Sequence, residues 1–176
     1  MMVDIINEVN PETLNKFIVM VGIVGAGKTT LAKDYEMFLS ASGRNVLYLS
    51  SDDIREEIAG DVNDQTHNEE VFKELHHRIK VGIVDHDVIV DATNVSRKSR
   101  RALLNCVKKH ECRKIAVVMT TPLEVCHHQN QHRDRVVPSF VIEKQVRSFE
   151  IPFYEEGFDE IWFDRFPDKE FENYHE

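Results

Sequence analysis

The chain has 176 residues, of which 41% are hydrophobic and 30% are charged, and its formal net charge is −9. This length and composition are typical of one globular domain with a core of its own. No apolar run approaches the ~20 residues of a membrane span, and the acidic balance argues against a protein that coats nucleic acid nonspecifically. The cysteines lack a C-x-x-C spacing, so we expect reduced thiols and a cytoplasmic location.

The first predicted element is an apolar strand over residues 17–21 that leads directly into a glycine-rich loop. The segment Gly22–Thr29 satisfies G-x-x-x-x-G-K-[ST] at every fixed position, and residues 30–39 follow it with helical periodicity. Such a loop turns backbone N–H groups towards phosphate oxygens, Lys28 can reach the β and γ phosphates, and the Thr29 hydroxyl can ligate Mg²⁺. The helix N-terminus adds the positive end of its dipole. The residues predicted to bind ATP in this loop are Gly25, Ala26, Gly27, Lys28, Thr29 and Thr30.

A second predicted strand over residues 45–49 ends at a pair of aspartates. We assign Asp52 as the general base that takes the proton from an acceptor hydroxyl, with helix capping as the alternative role. Asp53 is predicted to be the N-cap of the next helix. Arg55 lies three residues beyond Asp52 on the same helix face, where it could hold an acceptor phosphate or fix Asp52 itself. A polar link then leads to a helix over residues 70–81.

A third predicted strand, residues 88–90, ends at Asp91. Many phosphate-loop proteins hold the Mg²⁺ shell through an aspartate at this place, so we predict that Asp91 and Thr29 share the metal ion. Thr93 and Asn94 follow directly and are predicted to contact the acceptor. Turn formation and capping are an equal alternative for both residues.

A basic amphipathic helix over residues 96–109 and a fourth strand over residues 114–119 come next. The chain from Glu150 onward is acidic, so the basic segment stands out against it. A solvated helix face is one explanation of the segment, and a local basic groove is the other. Its cations are Arg97, Lys98, Arg100, Arg101, Lys108, Lys109, Arg113 and Lys114, against the single acid Glu111.

The region over about 122–150 is predicted to be a helical lid. Pro122 fits the first turn of one helix, and a second helix runs from Pro138 through Phe149. The polar segment between them carries Arg133 and Arg135, which we predict to bind the nucleotide. Arg133 is the first candidate for stabilising the charge that develops during phosphoryl transfer, and ordinary surface arginines are the alternative.

A fifth short strand over residues 160–163 completes an alternation of strands and helices, which implies a parallel sheet covered by helices on both faces. We expect one domain over residues 1–176, with a core at about 17–121 and 158–165 and short terminal extensions. The predicted fold is a three-layer α/β/α P-loop NTPase fold with a five-stranded parallel sheet and a lid, as in nucleoside monophosphate kinases. Ligands bind beyond the carboxyl ends of such strands, so the three polar signatures should converge on one cleft.

From about Phe17 to Phe163 the chain resembles the kinase domain of 5′-hydroxyl polynucleotide kinases, within a wider group of small P-loop kinases of the zeta-toxin and AAA type. The resemblance implies Asp52 as general base and Arg55 as the contact to an acceptor phosphate. Where lid helices of that family often carry Arg or Lys, this chain has His127 and His128. The matching segments are Ser50–Arg55, Asp91–Asn94, Asn130–Arg133, Val137–Pro138, Phe149–Pro152 and Glu156–Phe158.

The combined motifs predict a phosphotransferase that uses ATP and Mg²⁺ and delivers the γ-phosphate to an acceptor hydroxyl. The favoured acceptor is the 5′-hydroxyl end of a single DNA or RNA strand. A small hydroxyl metabolite, such as a nucleoside or sugar, is the alternative, and a nucleotide-dependent switch or toxin-like protein is the second alternative. No membrane partner is expected, and the sequence favours no particular oligomeric state.

Overall fold

A parallel five-stranded sheet forms the centre of the computed structural model, which describes residues 12–164. The strand order is β2-β3-β1-β4-β5, and every pairing in it is parallel. The predicted fold class is therefore confirmed, while most of the predicted terminal extensions lies outside the described residues. The strands are β1 (Asn15–Val21), β2 (Val46–Ser50), β3 (Asp87–Asp91), β4 (Cys112–Met119) and β5 (Glu160–Asp164).

Helices cover both faces of the sheet because the central strands are apolar on both sides. In β1, Phe17, Val19 and Val21 join the core beneath α2, α3 and α4, while Ile18 and Met20 join the core beneath α1 and α5. This alternation follows from the two-residue period of a strand. The helices are α1 (Lys28–Ala41), α2 (Ser51–Ala59), α3 (Asn68–Gly82), α4 (Arg97–Val107), α5 (Leu123–Gln131) and α6 (Ser139–Arg147).

None of the helices within residues 12–164 has the length and apolar character that crossing a bilayer requires. The longest, α3, is an amphipathic helix of 15 residues that buries Val71, Leu75 and Ile79 against the sheet. The lid predicted over about 122–150 corresponds to α5, the loop 132–138 and α6.

The start of α2 differs from the prediction. Ser50, not Asp53, is the N-cap, because its Oγ accepts a hydrogen bond of 3.2 Å from the backbone N–H of Asp53. Strand β2 runs on to Ser50 in an extended conformation, so the helix begins at Ser51 and Asp53 lies in its first turn. Both aspartates there interact favourably with the positive end of the helix dipole. Asp52 is therefore not the N-cap of this helix.

A buried ion pair ties α4 to the segment that leads into β5. Arg100 has no exposed surface, and its Nε and Nη2 donate to the two carboxylate oxygens of Glu156 at 2.9 and 2.7 Å. Its Nη1 donates to the backbone carbonyls of Asn94 and Val95 at 3.1 and 3.2 Å. Arg100 therefore fixes the turn between β3 and α4.

We expect Glu156→Ala to lower the free energy of unfolding by about 3 kcal/mol or more, because it leaves a buried guanidinium without its counter-ion. Urea unfolding followed by circular dichroism measures this loss. The neighbouring Glu155 is exposed, so Glu155→Ala should change stability by less than about 0.5 kcal/mol and is the matched control. Equal stabilities of the two variants would show that the pair does not stabilise the fold.

Candidate active site

The loop between β1 and α1 adopts a conformation that suits phosphate oxygens. Gly25 and Gly27 have φ angles of 80° and 88°, which glycine adopts at little cost. Gly27 is the N-cap of α1, and among the described residues no side chain caps this helix start. The first N–H groups of α1 thus remain available to an anion, at the positive end of the helix dipole.

Gly25 also lies against the lid at van der Waals distance. A Cβ built on Gly25 would come 2.2 Å from the backbone carbonyl oxygen of Cys126 in α5. Backbone atoms cannot withdraw as a flexible side chain can. The phosphate loop and the first lid helix therefore fit together only when position 25 has no side chain.

We expect Gly25→Ala to destabilise the protein by more than about 1 kcal/mol and to weaken nucleotide binding, because the new Cβ is strained and also collides with α5. Gly43→Ala is the matched control, since Gly43 has the same φ of 80° but nothing within 4 Å of its built Cβ. Thermal unfolding compares the two variants. A loss at position 25 no larger than that at position 43 would contradict the backbone contact.

Lys28 is nearly buried at the bottom of the cleft, with 9% of its surface exposed. Its Nζ donates a hydrogen bond of 2.7 Å to the carbonyl oxygen of Ile23. Burial lowers the pKa of Lys28 to about 8, and the positive charge of Arg133 acts in the same direction, against the carboxylates of Asp91 and Asp52. The ammonium group is thus poorly solvated and lacks a full counter-charge.

The structure brings the two predicted metal ligands together. Thr29 Oγ1 donates to Asp91 Oδ2 at 2.6 Å, although the residues are 62 positions apart. The hydroxyl of Tyr48 donates to the same oxygen at 2.7 Å, and burial together with this bond raises the pKa of Tyr48. A hydroxyl and a carboxylate side by side are oxygen donors of the kind that Mg²⁺ prefers, so these residues fit the ion.

Asp52 projects into the same cleft, and its side chain is 46% exposed. Its Oδ1 accepts a hydrogen bond of 2.8 Å from Arg55 Nη1 and lies 3.4 Å from Arg135 Nη1. The described residues place no hydrogen bond on Oδ2. The carboxylate is therefore held in orientation through one oxygen while the other remains open to a ligand.

Arg55 belongs to a chain of polar contacts along the wall of the cleft. Its Nη2 donates to Asn68 Oδ1 at 2.9 Å, and Asn68 Nδ2 donates to Gln65 Oε1 at 3.0 Å. The Nε of Arg55 is buried and has no hydrogen-bond partner among the described residues. Of the two roles predicted for Arg55, the orientation of Asp52 is present in the structure, and Nε is left to serve a ligand.

The two lid arginines lie at different ends of the cleft. Arg133 is exposed on the cleft lining, close enough to Lys28 to influence its pKa. Arg135 donates from Nε to Asn63 Oδ1 at 2.8 Å and approaches Asp52, so it lies on the side opposite the phosphate loop. The carboxylate of Asp52 attracts this guanidinium towards α2, and the nucleotide contact of Arg135 stays a prediction.

Thr93 and Asn94 also occupy different positions relative to the cleft. Thr93 lines the cleft, and its carbonyl oxygen accepts from the N–H of Gly22 at 2.9 Å. Asn94 is 4% exposed with a φ of 47°, and its side-chain amide donates to the carbonyls of Met20 and Ala92 at 2.8 and 3.3 Å. Asn94 therefore has the turn-forming role, one of the two predicted for it, and it is not among the residues that line the cleft.

Several cleft residues were not predicted from the sequence. The Oε1 of Gln145 in α6 accepts a hydrogen bond of 2.8 Å from the N–H of Val24 in the phosphate loop. Asn130, by contrast, belongs to a lid motif that was matched in the sequence, and it exchanges two hydrogen bonds with the backbone of Val137, at 2.8 and 3.0 Å. No local pattern marks Gln145. Other cleft residues that were missed include Tyr48, Asn63, Gln65 and Asn68.

One cleft of about 650 Å³ is lined by most of these side chains, namely Lys28, Thr29, Tyr48, Asp52, Arg55, Asp91, Thr93, Arg133, Arg135 and Gln145. The phosphate loop and α1 form one end, α2 and the start of α3 form the other, and the lid loop lies between them. The carboxyl ends of β2 and β3 form the floor, where ligands bind in open parallel sheets. The arrangement could place a phosphate chain and a hydroxyl group on opposite sides of one reaction centre.

Two curated relatives cover part of the chain. It is 26% identical over 136 residues to the L-seryl-tRNA(Sec) kinase of Methanococcus maripaludis, an alignment that covers 77% of this chain and 52% of that protein. It is 32% identical over 112 residues to the adenylyl-sulfate kinase of Aeromonas hydrophila, which covers 62% of this chain and 55% of that protein. The chain thus spans about half the length of these relatives.

Solved structures share the fold at low identity. Kti12 of Chaetomium thermophilum, in complex with ADP-AlF3, has a TM-score of 0.71 and 19% identity, covering 86% of this chain and 90% of that one. The Mycobacterium tuberculosis APS kinase CysC, with AMPPNP and APS, has a TM-score of 0.63 and 18% identity, covering 91% and 95%. A gluconokinase from Sinorhizobium meliloti has a TM-score of 0.56 and 18% identity, covering 92% and 89%.

These names support the wider resemblance to small P-loop kinases and do not point specifically to polynucleotide kinases. The family model described as "AAA domain" matches residues 17–152, which include the phosphate loop, the strand ends and the lid. The chain therefore belongs to this AAA domain family.

Proposed function

We propose that the protein is an ATP-dependent kinase that transfers the γ-phosphoryl group of ATP to a hydroxyl group of an acceptor bound beside Asp52. The observation that carries this proposal is the convergence of the phosphate loop, the Thr29–Asp91 pair and Asp52 on one cleft. Both curated relatives are named as kinases, which agrees with it. A switch protein would need the phosphate loop but would have no use for an open carboxylate opposite it.

The nucleotide would lie along the phosphate loop. The N–H groups of the loop and the start of α1 would bind the phosphate oxygens, and Lys28 would neutralise part of their charge. Thr29 and Asp91 would hold Mg²⁺, which when bound supplies positive charge to the phosphate oxygens. Arg133, at the nucleotide end of the lid, would stabilise the charge on the transferring group.

Asp52 would act as general base through Oδ2. The acceptor hydroxyl gives its proton to this oxygen while its own oxygen bonds to the γ-phosphorus. The bond from that phosphorus to the bridging oxygen breaks, and ADP leaves with the electron pair. Arg55 keeps Asp52 in place through Oδ1.

The acceptor that we propose is the 5′-hydroxyl end of a single nucleic-acid strand. The buried Nε of Arg55 and the guanidinium of Arg135 both lie beside Asp52, where they can bind the phosphate that follows a 5′-terminal nucleoside. The relatives' names support a nucleotide-containing acceptor, because tRNA and adenylyl sulfate both contain nucleotides. We place this activity in the reducing cytoplasm, in keeping with the free thiols of Cys106, Cys112 and Cys126.

A small hydroxyl metabolite is the second candidate acceptor. The cleft of about 650 Å³ lies within the usual size of small-ligand sites. A structural neighbour is a gluconokinase, whose name indicates a small acceptor. The same base and phosphate loop would serve this reaction. Arg55 and Arg135 would then contact the metabolite instead of a phosphate of the strand.

Transfer of label from [γ-³²P]ATP tests the proposal. We expect label on 5′-hydroxyl DNA or RNA oligonucleotides and none on the same strands with a 5′-phosphate. A parallel panel of nucleosides, nucleotides and sugars tests the second candidate. Transfer only to a metabolite would refute the polynucleotide acceptor, and ATP binding without transfer to any acceptor would refute the kinase.

A further inference from the structure

The outer face of α4 carries a strip of basic residues that the candidate active site does not use. The helix and the turn after it contain no acidic residue between positions 97 and 110. Side chains four or seven positions apart share one helix face, so cations at 97, 101 and 108 form a row. The row belongs to a protein whose formal charge is −9. The exposed cations of this basic strip are Arg97, Lys98, Arg101, Lys108 and Lys109.

Exposed aromatic rings flank the start of the basic strip. Phe153 and Tyr154 are 47% and 61% exposed, and the guanidinium of Arg97 lies 5.4 Å from the centre of the Phe153 ring. A surface cavity of about 490 Å³ opens between this ring and Arg101. Rings beside cations around a concave surface offer both stacking and charge to one ligand.

Acidic side chains near this cavity offset part of its positive charge. Both carboxylate oxygens of Glu156 accept hydrogen bonds from the buried Arg100, and Arg97 Nε is 3.9 Å away. A carboxylate oxygen of Glu150 accepts from the backbone N–H of Arg97 instead of from its guanidinium. Glu155 is the exposed acid in the cavity lining, opposite the guanidinium groups of Arg97 and Arg101.

The basic strip starts at the rim of the cleft. Thr93 lines the cleft, and Arg97 begins α4 four residues later. The N–H of Glu150 donates to the carbonyl of Val95 at 2.8 Å, which holds the segment leading to Phe153 against the same turn. From this rim, α4 carries the cations away from the active site over a length of ~16 Å.

We propose that the basic strip, Phe153 and Tyr154 form a second binding site for single-stranded nucleic acid, which holds the strand on the 3′ side of the end in the cleft. The inference rests on the proposed function for the polarity of the strand. Lys and Arg side chains bind the phosphates, and the rings stack on the bases. An acidic peptide could use the cations but has no bases to stack on the rings, so the rings favour nucleic acid.

Fluorescence anisotropy without ATP tests the site directly, with a 3′-labelled, 5′-hydroxyl single-stranded DNA dodecamer. We expect Arg97→Gln/Arg101→Gln to weaken binding about tenfold and to reduce the slope of log Kd against log salt by about 1.4, the value for two lost phosphate contacts. Phe153→Ala should also weaken binding about tenfold through lost stacking. The control Lys73→Gln/Lys144→Gln makes the same charge change at exposed positions of α3 and α6 and should bind as the wild type does.

An unchanged dodecamer affinity in Arg97→Gln/Arg101→Gln would overturn the inference, and so would equally tight binding of poly-glutamate.

Kinase assays separate the second binding site from the proposed function. The double variant should lower kcat/KM for the dodecamer but not for thymidine 3′-monophosphate, which the cleft alone can hold. If no acceptor is phosphorylated but the variants still lose dodecamer affinity, the proposed function fails and the second site stands. If phosphorylation occurs with unchanged affinities, the second site fails.

Discussion

Replacement of Asp52 by asparagine is expected to lower kcat for phosphoryl transfer by about 10²–10⁴-fold, the range for loss of a general base. The amide keeps the shape of the side chain, and its oxygen can still accept the hydrogen bond from Arg55, so the cleft should stay intact. It can no longer take a proton at the second oxygen position. Steady-state kinetics with labelled ATP should show the loss in kcat, with little change in ATP affinity by calorimetry.

Asp53→Asn is the matched control for this variant. It makes the same chemical change one residue away on the same helix turn, where the side chain is exposed and neither Arg55 nor Arg135 contacts it. We expect most of the activity to remain in this variant. Full activity in Asp52→Asn would instead remove Asp52 as the base and return it to a structural role.

Lys28→Ala is expected to lower kcat/KM by about 10²–10³-fold, the range for removal of one preorganised group that stabilises transition-state charge. Because Lys28 should contact the phosphates in both the ground state and the transition state, ATP affinity should fall as well. That weaker ATP binding distinguishes Lys28→Ala from Asp52→Asn in calorimetry. Unchanged ATP affinity would show that the ammonium group does not reach the nucleotide.

The low pKa of Lys28 makes ATP binding depend on pH. Burial lowers this pKa to about 8, so the free protein loses the positive charge as the pH rises above that value. Bound phosphates favour the charged form, so binding above pH 8 requires uptake of a proton. We expect the Kd for ATP to rise as the pH rises through about 8, by up to about tenfold per unit. Lys28→Ala should not show this rise.

Local sequence signals predicted the parts of the site that lie within single turns. The phosphate loop and Asp91 directly follow apolar strands, and their positions need only the strand ends to be located. The predicted N-cap of α2 was wrong because serine and aspartate are both good N-cap residues, so Ser50 and Asp53 were both candidates. The choice depends on where β2 ends, and the pairing of Ser50 with Asp91 in the sheet decides it.

Long-range contacts could not be predicted in this way. Arg135 and Asp52 are 83 positions apart, and Gln145 and Val24 are 121 positions apart. Arg135 was expected at the nucleotide because the lid carries it, but a carboxylate on α2 competes for its guanidinium. Asn94 looked like a ligand contact because it is polar and at a strand end. Its positive φ and buried amide depend on the nearby carbonyl of Met20, which no local pattern reveals.

The close fit between Gly25 and Cys126 bears on the dynamics of the lid. α5 is fixed by that backbone contact, and α6 is fixed by the buried Ile142 and by the bond from Val24 to Gln145. The loop from His132 to Val136 lies between these helices, and Arg135 links it to Asn63 and Asp52, so we expect this loop to rearrange when those two contacts break. Loops of this size move in nanoseconds to microseconds, whereas hinged domains take microseconds to milliseconds. We accordingly expect the cleft to open by a fast loop motion, and, in the kinase reaction that we propose, a step other than this motion to limit turnover.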